Sequence, residues 1–321
     1  MKTDDDGEVE ESDNTIEDVI SKLIITGEER EKKRIELYKK EPVLRIKNLK
    51  TYFPVSKGLF GKVTDYIKAV DDVSFDVFPG ETLGLVGESG CGKTTLGRTI
   101  LRLEEPTSGE IIYREKNITL MAKNELRDLR KEMQIIFQDP YSSLNPRITI
   151  GEAIMEPMYV HGIIKSEFKR KKRAIEILER VKMNASQFHR YPHEFSGGQR
   201  QRICIARALS LNPKFIICDE SVSSLDVSIQ AQVLNLLNEI RQEFNLTYIF
   251  ISHDLSIVKF MSDRMLVMNQ GAIEEIGDSD EIYSNPKTEY TRKLIEAIPK
   301  GELGSIKTAM ERKEKFRQVS V

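Results

Sequence analysis

The segment "LGLVGESGCGKTT", residues 83 to 95, constrains the fold more than any other part of the chain. An apolar, strand-like run leads into a glycine-rich loop that matches G-x-x-x-x-G-K-[ST], and a helix-compatible sequence follows. The glycines let backbone N–H groups converge on phosphate oxygens, and the helix adds its positive N-terminal end. We expect Lys93 to neutralise the β and γ phosphates, and the Thr94 hydroxyl is a ligand suited to Mg²⁺. The segment predicts a nucleotide site with candidate binding residues Gly87, Glu88, Ser89, Gly90, Cys91, Gly92, Lys93, Thr94 and Thr95.

Short apolar runs alternate with helical patterns along the rest of the chain. Residues 214–220, 246–253 and 263–269 fit strands of a sheet that is covered on both faces, and residues 228–244 carry a helical repeat of apolar positions. Two earlier segments, 43–49 and 73–87, also read as β-rich. This alternation predicts an α/β fold with a largely parallel sheet, which binds ligands at the carboxyl ends of its strands. The helix formers of residues 141–200 interrupt the alternation and predict a helical insertion.

Polar residues follow two of the predicted strands. Asp219 and Glu220 end the run "KFIICDE", and His253 ends the next strand. One carboxylate is suited to hold Mg²⁺ through water, and its neighbour to polarise an attacking water. An imidazole at the end of the next strand is placed to contact the γ-phosphate. Paired acids are weak evidence alone, but with the phosphate loop they predict a nucleoside triphosphatase.

A second glycine-rich loop, "EFSGGQRQR" at residues 194–202, precedes another helical pattern. Its chemistry is similar to that of the first loop, with a hydroxyl from Ser196, two glycines that free the backbone, and a helix dipole that favours an anion. A single nucleotide needs only one such loop. The second loop therefore needs an explanation that one chain with one nucleotide does not supply.

With these motifs, the sequence resembles the ATP-binding-cassette family over nearly all of the chain after residue 42. "GESGCGKTT" resembles the Walker A loop, "FSGGQ" the family signature, "FIICDE" the Walker B strand and "SSLD" the D-loop, while Ser252-His253 resembles the switch histidine and "IIFQDP" the Q-loop. The resemblance implies an α/β P-loop NTPase (RecA-like) core with an antiparallel β-subdomain and an inserted helical subdomain. It also implies bound ATP and Mg²⁺.

The family resemblance assigns roles to individual residues. It implies Glu220 as the general base, with His253 and Gln138 placing the water, and Thr94, Gln138 and Asp219 as the magnesium ligands. Contacts to nucleotide are implied for Ser196, Gly197, Gly198, Gln199 and Asp226. An aromatic residue near the start should stack on adenine, with Phe53 as the first choice and Tyr52 as the alternative.

Finer features are similar to the ATPase subunits of bacterial oligopeptide and dipeptide importers. They include "FQDPYSSLNPRITIGEAI", "DVSIQAQVLNLL" and the late "EIYSNPKTEYTRKLIEAIP", and the "FPVSKGLFGKV" insertion is similar to the F-type subunit. The resemblance divides the chain into an acidic extension at 1–41, a cassette at 42–282 with its helical subdomain at about 141–204, and a C-terminal extension at 283–321. Ser221 departs from the usual proline, a change we expect to be tolerated. Because no cysteine follows Cys218, we expect no iron–sulfur cluster.

The resemblance also implies an assembly. Two cassettes meet head to tail, so the expected partners are a second ATPase subunit in a heterodimer and two transmembrane permease subunits, with an extracellular peptide-binding protein involved indirectly. The expected location is the cytoplasmic face of the cell membrane, as a peripheral subunit. A formal charge of -2 gives no global positive field, and we expect no nucleic-acid partner. No run approaches the ~18 apolar residues that cross a bilayer.

Composition and motifs leave some alternatives open. The three cysteines share no metal-ligand spacing and no signal segment is evident, which favours a reducing cytoplasm, and we interpret Cys91 as a space-filling residue. The acidic residues 1–18 predict a disordered tail, followed by a charged helix from Val19 to about Lys40.

A nickel-importer ATPase and a soluble ATPase with no transport role remain alternatives. A kinase or GTPase is disfavoured by the signature loop and by the lack of an N-K-x-D motif.

Overall fold

The computed structural model describes residues 35–57 and 62–297. The predicted acidic tail, most of the helix that should follow it and the end of the C-terminal extension lie outside the described residues. Residues 35–38 are helical, and the helix ends before Pro42 as expected. Leu37 of this helix is buried, and the Tyr38 ring packs edge-on against Phe78 with 5.3 Å between the ring centroids.

An antiparallel sheet forms the first layer. It contains β1 (Leu44–Lys57), β2 (Lys62–Val77), β4 (Ser108–Tyr113) and β5 (Lys116–Asn117) in the order β2-β1-β4-β5. Apolar side chains on its inner face, such as Leu44 and Ile111, are fully buried. They share a hydrophobic core with Leu96, which lies in the helix that follows the phosphate loop. The antiparallel sheet therefore packs directly against the predicted nucleotide site.

A six-stranded sheet forms the second layer. Its strands are β3 (Thr82–Val86), β6 (Met133–Ile136), β7 (Phe215–Asp219), β8 (Thr247–Ile251), β9 (Arg264–Asn269) and β10 (Ala272–Asp278), in the order β10-β9-β3-β8-β7-β6. All pairings are parallel except that of β10 with β9. Every residue of β3, β7 and β8 is buried, because other elements cover both faces of the sheet. This arrangement confirms the predicted α/β fold.

Helices cover the six-stranded sheet and fill the connection between β6 and β7. The connection carries α3 (Pro140–Ser143), α4 (Ile150–Val160), α5 (Glu167–Arg180) and α6 (Gly197–Leu209), with two 3-10 turns between α5 and α6. After β2 and outside this connection, the α-helices are α1 (Lys93–Ile100), α2 (Lys123–Leu129), α7 (Val227–Phe244), α8 (Leu255–Met261), α9 (Ser279–Ser284) and α10 (Glu289–Glu296). Sequence reasoning placed α7 at residues 228–244, one residue from its observed start. Over the described ranges, no helix combines the length and the apolar character needed to cross a membrane.

Candidate nucleotide-binding site

The first glycine-rich loop, called here the Walker A loop (residues 87–94), joins the buried strand β3 to α1. Gly87, Gly90 and Gly92 have φ angles of 151°, 83° and 106°, in the region that favours glycine. A Cβ on Gly92 would lie 1.9 Å from the Ala69 carbonyl oxygen of β2, so a side chain cannot fit there. A Cβ on Gly90 would meet no atom within 4 Å. The loop is therefore pressed against the antiparallel sheet on one side and open on the other.

Lys93 lies at the centre of this loop. Its ammonium group donates to the carbonyl oxygens of Gly87 and Glu88, both at 2.8 Å, and the residue is only 4% exposed. Cys91 is buried with its Sγ 3.7 Å from the Lys93 Nζ, and burial raises the pKa of its thiol. A neutral, buried thiol agrees with the interpretation of Cys91 as a space-filling residue.

Thr94 and Asp219 meet although 125 positions separate them in the sequence. The Thr94 hydroxyl donates to Oδ1 of Asp219 over 2.8 Å, and the aspartate is 3% exposed at the end of β7. Burial raises the pKa of the Asp219 carboxyl, and the bond from Thr94 opposes that shift. The Thr94 hydroxyl and the Asp219 carboxylate are hard oxygen donors, and Gln138, which contacts the adjacent Glu220, adds an amide oxygen, so this set fits Mg²⁺.

The three residues expected to carry the hydrolytic chemistry lie together. Gln138 Nε2 donates to Oε2 of Glu220 over 3.0 Å, and Nδ1 of His253 lies 3.4 Å from the same oxygen. They follow β6, β7 and β8, which are neighbours in the sheet, so their side chains converge at its carboxyl edge. Glu220 has a φ of 45°, and its backbone N–H donates to the Ile251 carbonyl over 3.0 Å. This backbone anchor fixes the point from which the carboxylate projects.

Ser221, which departs from the family pattern, directly follows Glu220 in the sequence. It is 2% exposed, so a small buried side chain occupies the position where proline was expected. The carboxylate of Glu220 still reaches both Gln138 and His253. Serine in place of proline therefore leaves the contacts of the Glu220 carboxylate intact.

The second glycine-rich loop, called here the signature loop (residues 195–199), forms the start of α6. Ser196 and Gln199 cap the helix reciprocally: the Gln199 N–H donates to the serine hydroxyl over 3.4 Å, and the Ser196 N–H donates to the glutamine side chain over 3.1 Å. Both residues and Gly197 are exposed, whereas Gly198 is buried against Ile229 of α7. Within the described ranges, no hydrogen bond or ion pair joins this loop to the Walker A loop. Asp226, at the N-terminal end of α7, is also exposed.

The two candidate adenine-stacking residues differ in their surroundings. The Tyr52 hydroxyl donates to the Asp71 carboxylate, a bond that raises the pKa of the tyrosine to about 12, and Lys68 Nζ lies 5.5 Å from its ring centroid. Phe53 is 37% exposed and pairs with exposed Ile67 across β1 and β2. Ile67 is two residues from Ala69, whose carbonyl contacts the Walker A loop. Phe53 therefore remains the first choice for stacking.

Sequence reasoning missed one residue of this site. Tyr290, in α10, accepts a hydrogen bond from the backbone N–H of Glu88 over 3.2 Å. The two residues are 202 positions apart, and no spacing rule links them. The only available signal was their presence in two segments that resemble the same family.

A family model and several curated proteins match this chain in sequence. A family model described as ABC transporter matches residues 70–223. The glutathione import ATP-binding protein GsiA of Escherichia coli strain K12 is 53% identical over 262 residues, which cover 82% of this chain and 42% of GsiA. GsiA of Pectobacterium atrosepticum is 51% identical over 259 residues, covering 81% and 41% respectively. The chain thus spans about two fifths of the length of the curated relatives it matches.

Solved structures share the architecture. The ATP-binding cassette MJ0796, solved as a dimer in a post-hydrolysis state bound to ADP and Pi, matches with a TM-score of 0.66 and 27% identity over 74% of this chain and 98% of that one. The protein cbiO1 of Clostridium perfringens, part of the ABC transporter complex cbiONQ, matches with a TM-score of 0.65 and 25% identity over 82% and 98%. With the Walker A and signature loops in place on this fold, the chain belongs to the ATP-binding-cassette family of ABC transporters.

Proposed function

We propose that this chain is the ATP-binding and ATP-hydrolysing subunit of a bacterial ABC importer for small peptides. The observation that carries the proposal is the convergence of Gln138, Glu220 and His253 beside the Thr94–Asp219 pair. The relatives named as glutathione import proteins support a peptide cargo, because glutathione is itself a small peptide. The late segment that resembles oligopeptide and dipeptide importers points the same way.

Each residue of the site has a proposed part in hydrolysis. The N–H groups of the Walker A loop and Lys93 bind the phosphates, and Glu220 takes the proton of the attacking water. His253 and Gln138 hold that carboxylate and orient the water. Mg²⁺, when held by Thr94 and Asp219 with Gln138 near, supplies positive charge to the phosphate oxygens. No covalent intermediate on the protein is needed.

The signature loop supports a proposed assembly. Its Ser196, Gly197 and Gln199 are exposed, no hydrogen bond within the described ranges joins the loop to the Walker A loop of its own chain, and the MJ0796 cassette was solved as a dimer. We propose that a second ATPase subunit completes each site, and that ATP closes the pair while hydrolysis reopens it. Two membrane permeases would receive this motion at the cytoplasmic face of the membrane, and an extracellular binding protein would deliver the cargo.

Replacement of the general base tests the proposal. In the purified complex, Glu220→Gln should lower ATP turnover at this chain's own site by about 100-fold or more, because a positioned base contributes roughly that much. ATP binding should persist, since the Walker A loop is untouched. The same change at exposed Glu156, which lies in α4 of the β6–β7 connection and not at a strand end, should leave turnover at the level of the parent. Undiminished turnover in Glu220→Gln at this site would refute the assignment.

The remaining alternatives concern transport and cargo. Mass spectrometry of the chains that co-purify with this one separates them: two multi-span membrane proteins are expected for an importer. Recovery of no multi-span protein would favour a soluble ATPase instead. A co-purifying binding protein that binds nickel instead of a peptide would favour the nickel importer.

A further inference from the structure

The first peptide group of the Walker A loop is held at both ends. Its carbonyl oxygen, on Gly87, accepts from Lys93 Nζ over 2.8 Å, and its N–H, on Glu88, donates to the Tyr290 hydroxyl over 3.2 Å. These two bonds point in opposite directions along one planar unit. The orientation of the peptide thus depends on the phosphate-binding lysine and on a tyrosine from the C-terminal part of the chain.

Tyr290 is itself fixed in place by buried polar contacts. Glu275 of β10 is 8% exposed, and its carboxylate accepts from the backbone N–H groups of Lys287 (3.1 and 3.2 Å) and Thr288 (3.3 Å). The Thr288 hydroxyl caps α10 by accepting from the N–H of Thr291 over 3.1 Å, and Thr291 is fully buried. The N-terminal end of α10 is therefore tied, through Lys287 and Thr288, to the edge strand of the six-stranded sheet, two residues before Tyr290.

The chemistry of the tyrosine suits an acceptor. Burial raises the pKa of its hydroxyl above the ordinary value, so the group stays neutral at physiological pH. A neutral hydroxyl oxygen carries two lone pairs for the Glu88 N–H. The ring also packs against the hydrophobic core that contains Val86, the last residue of β3.

We propose that Tyr290 is a positioning residue for the Walker A loop: it orients the Gly87–Glu88 peptide so that the Gly87 carbonyl holds Lys93 beneath the phosphate site. The C-terminal extension thereby becomes part of the nucleotide site and not only an appendage to the cassette. The inference rests on the proposed ATP binding. It also makes the coupling reciprocal, because ATP must stabilise the docked α10 by the same factor by which docking favours ATP.

Removal of the hydroxyl alone tests the role. In the full-length chain carrying Glu220→Gln, so that ATP is not consumed, Tyr290→Phe should raise the Kd for ATP with Mg²⁺ by about two- to tenfold, the range of one neutral hydrogen bond. Isothermal titration calorimetry gives this value. The melting temperature without nucleotide should change by less than about 2 °C, because the ring and the Glu275 contacts remain. Tyr283→Phe, the same change in α9, should leave the Kd unaltered.

Hydrogen exchange checks the reciprocal effect without any change at Tyr290. Addition of ATP to the Glu220→Gln chain should slow amide exchange in α10 by about the same factor as the loss in affinity. An unchanged Kd in Tyr290→Phe, or unchanged exchange in α10, would overturn the inference. Failure of the parent chain to bind ATP at all would instead overturn the proposed function, so the two failures are distinguishable.

Discussion

Gly198 shows how one atom can decide the geometry of the signature loop. A Cβ at this position would lie 2.2 Å from Cγ2 of Ile229, the residue of α7 that closes over the start of α6. At neighbouring Gly197 a Cβ would lie 3.4 Å from Leu225, an ordinary contact. The two glycines are adjacent in sequence, but only the second is required by packing.

We therefore expect Gly198→Ala to lower the free energy of unfolding by about 1–3 kcal/mol, the usual cost of overpacking. Gly197→Ala should change it by less than about 1 kcal/mol, because alanine is the better helix former and has room. Urea denaturation measures both. In an Ile229→Ala background the penalty at Gly198 should shrink, since the clashing methyl is gone. Additive losses would show that the contact with Ile229 is not the cause.

Residue identity at fixed spacing made much of the site predictable. Lys93 and Thr94 follow from a motif whose chemistry admits few substitutes, and Glu220 and His253 follow from their positions at strand ends. The choice between Tyr52 and Phe53 could not be made from sequence, because it depends on the partner Asp71 across the sheet. Contacts between distant segments carry no local signature.

At the scale of elements, sequence reasoning found the largely buried strands β3, β7, β8 and β9 and parts of β1 and β2. β7 and β8 are buried at every position and mostly apolar, whereas β10 lies at the sheet edge and buries only Glu275, so its pattern reads as polar. The short strands β5 and β6 were missed because two to four residues carry too little periodicity. The sequence therefore specified the central strands of the six-stranded sheet but not its edge strands, β6 and β10.

A buried ion pair joins the turn before β3 to β9. Glu81 is fully buried, its Oε1 lies 3.1 Å from Arg264 Nη1, and its other oxygen accepts from the Phe78 N–H over 2.7 Å. Burial raises the pKa of Glu81 from 4.5 to about 7, although Arg264 opposes the shift. A carboxyl with a raised pKa favours folding at low pH. That contribution is complete below about pH 4.5 and is lost as the pH rises through 7.

We expect Glu81→Gln to remove this pH dependence. Between pH 5 and pH 8 the wild-type chain should lose about 1–3 kcal/mol of unfolding free energy relative to the variant, because glutamine cannot ionise. Urea denaturation of both chains across this range gives the difference. Glu110→Gln, which breaks a half-exposed pair with Lys47, should show no comparable trend. Parallel pH profiles for Glu81→Gln and wild type would exclude Glu81 as the titrating group.

At the scale of the whole molecule, the two glycine-rich loops have different relations to the chain that carries them. The Walker A loop packs closely against Ala69 and is hydrogen-bonded to Tyr290 of its own chain, while the signature loop leaves Ser196 exposed at the N-terminal end of α6. A helix N-terminus with free N–H groups favours an anion. An exposed helix N-terminus that its own nucleotide loop does not engage is what a site shared between subunits requires.

Ser196→Arg tests that requirement. In a complex with the second ATPase subunit, the arginine should obstruct the site whose lysine belongs to the partner, while ATP binding to this chain's own Walker A loop stays intact. Labelling each subunit separately with a photoreactive ATP analogue measures the two sites, and we expect the loss at the partner's site to exceed the loss at this chain's site by about tenfold or more, a difference of roughly 1.4 kcal/mol. The variant also removes the helix cap, which costs about 0.5–2 kcal/mol of stability. Ser196→Ala loses the same cap without added bulk, so it separates unfolding from obstruction. Equal loss at both sites in Ser196→Arg, beyond that seen in Ser196→Ala, would contradict a site shared between subunits.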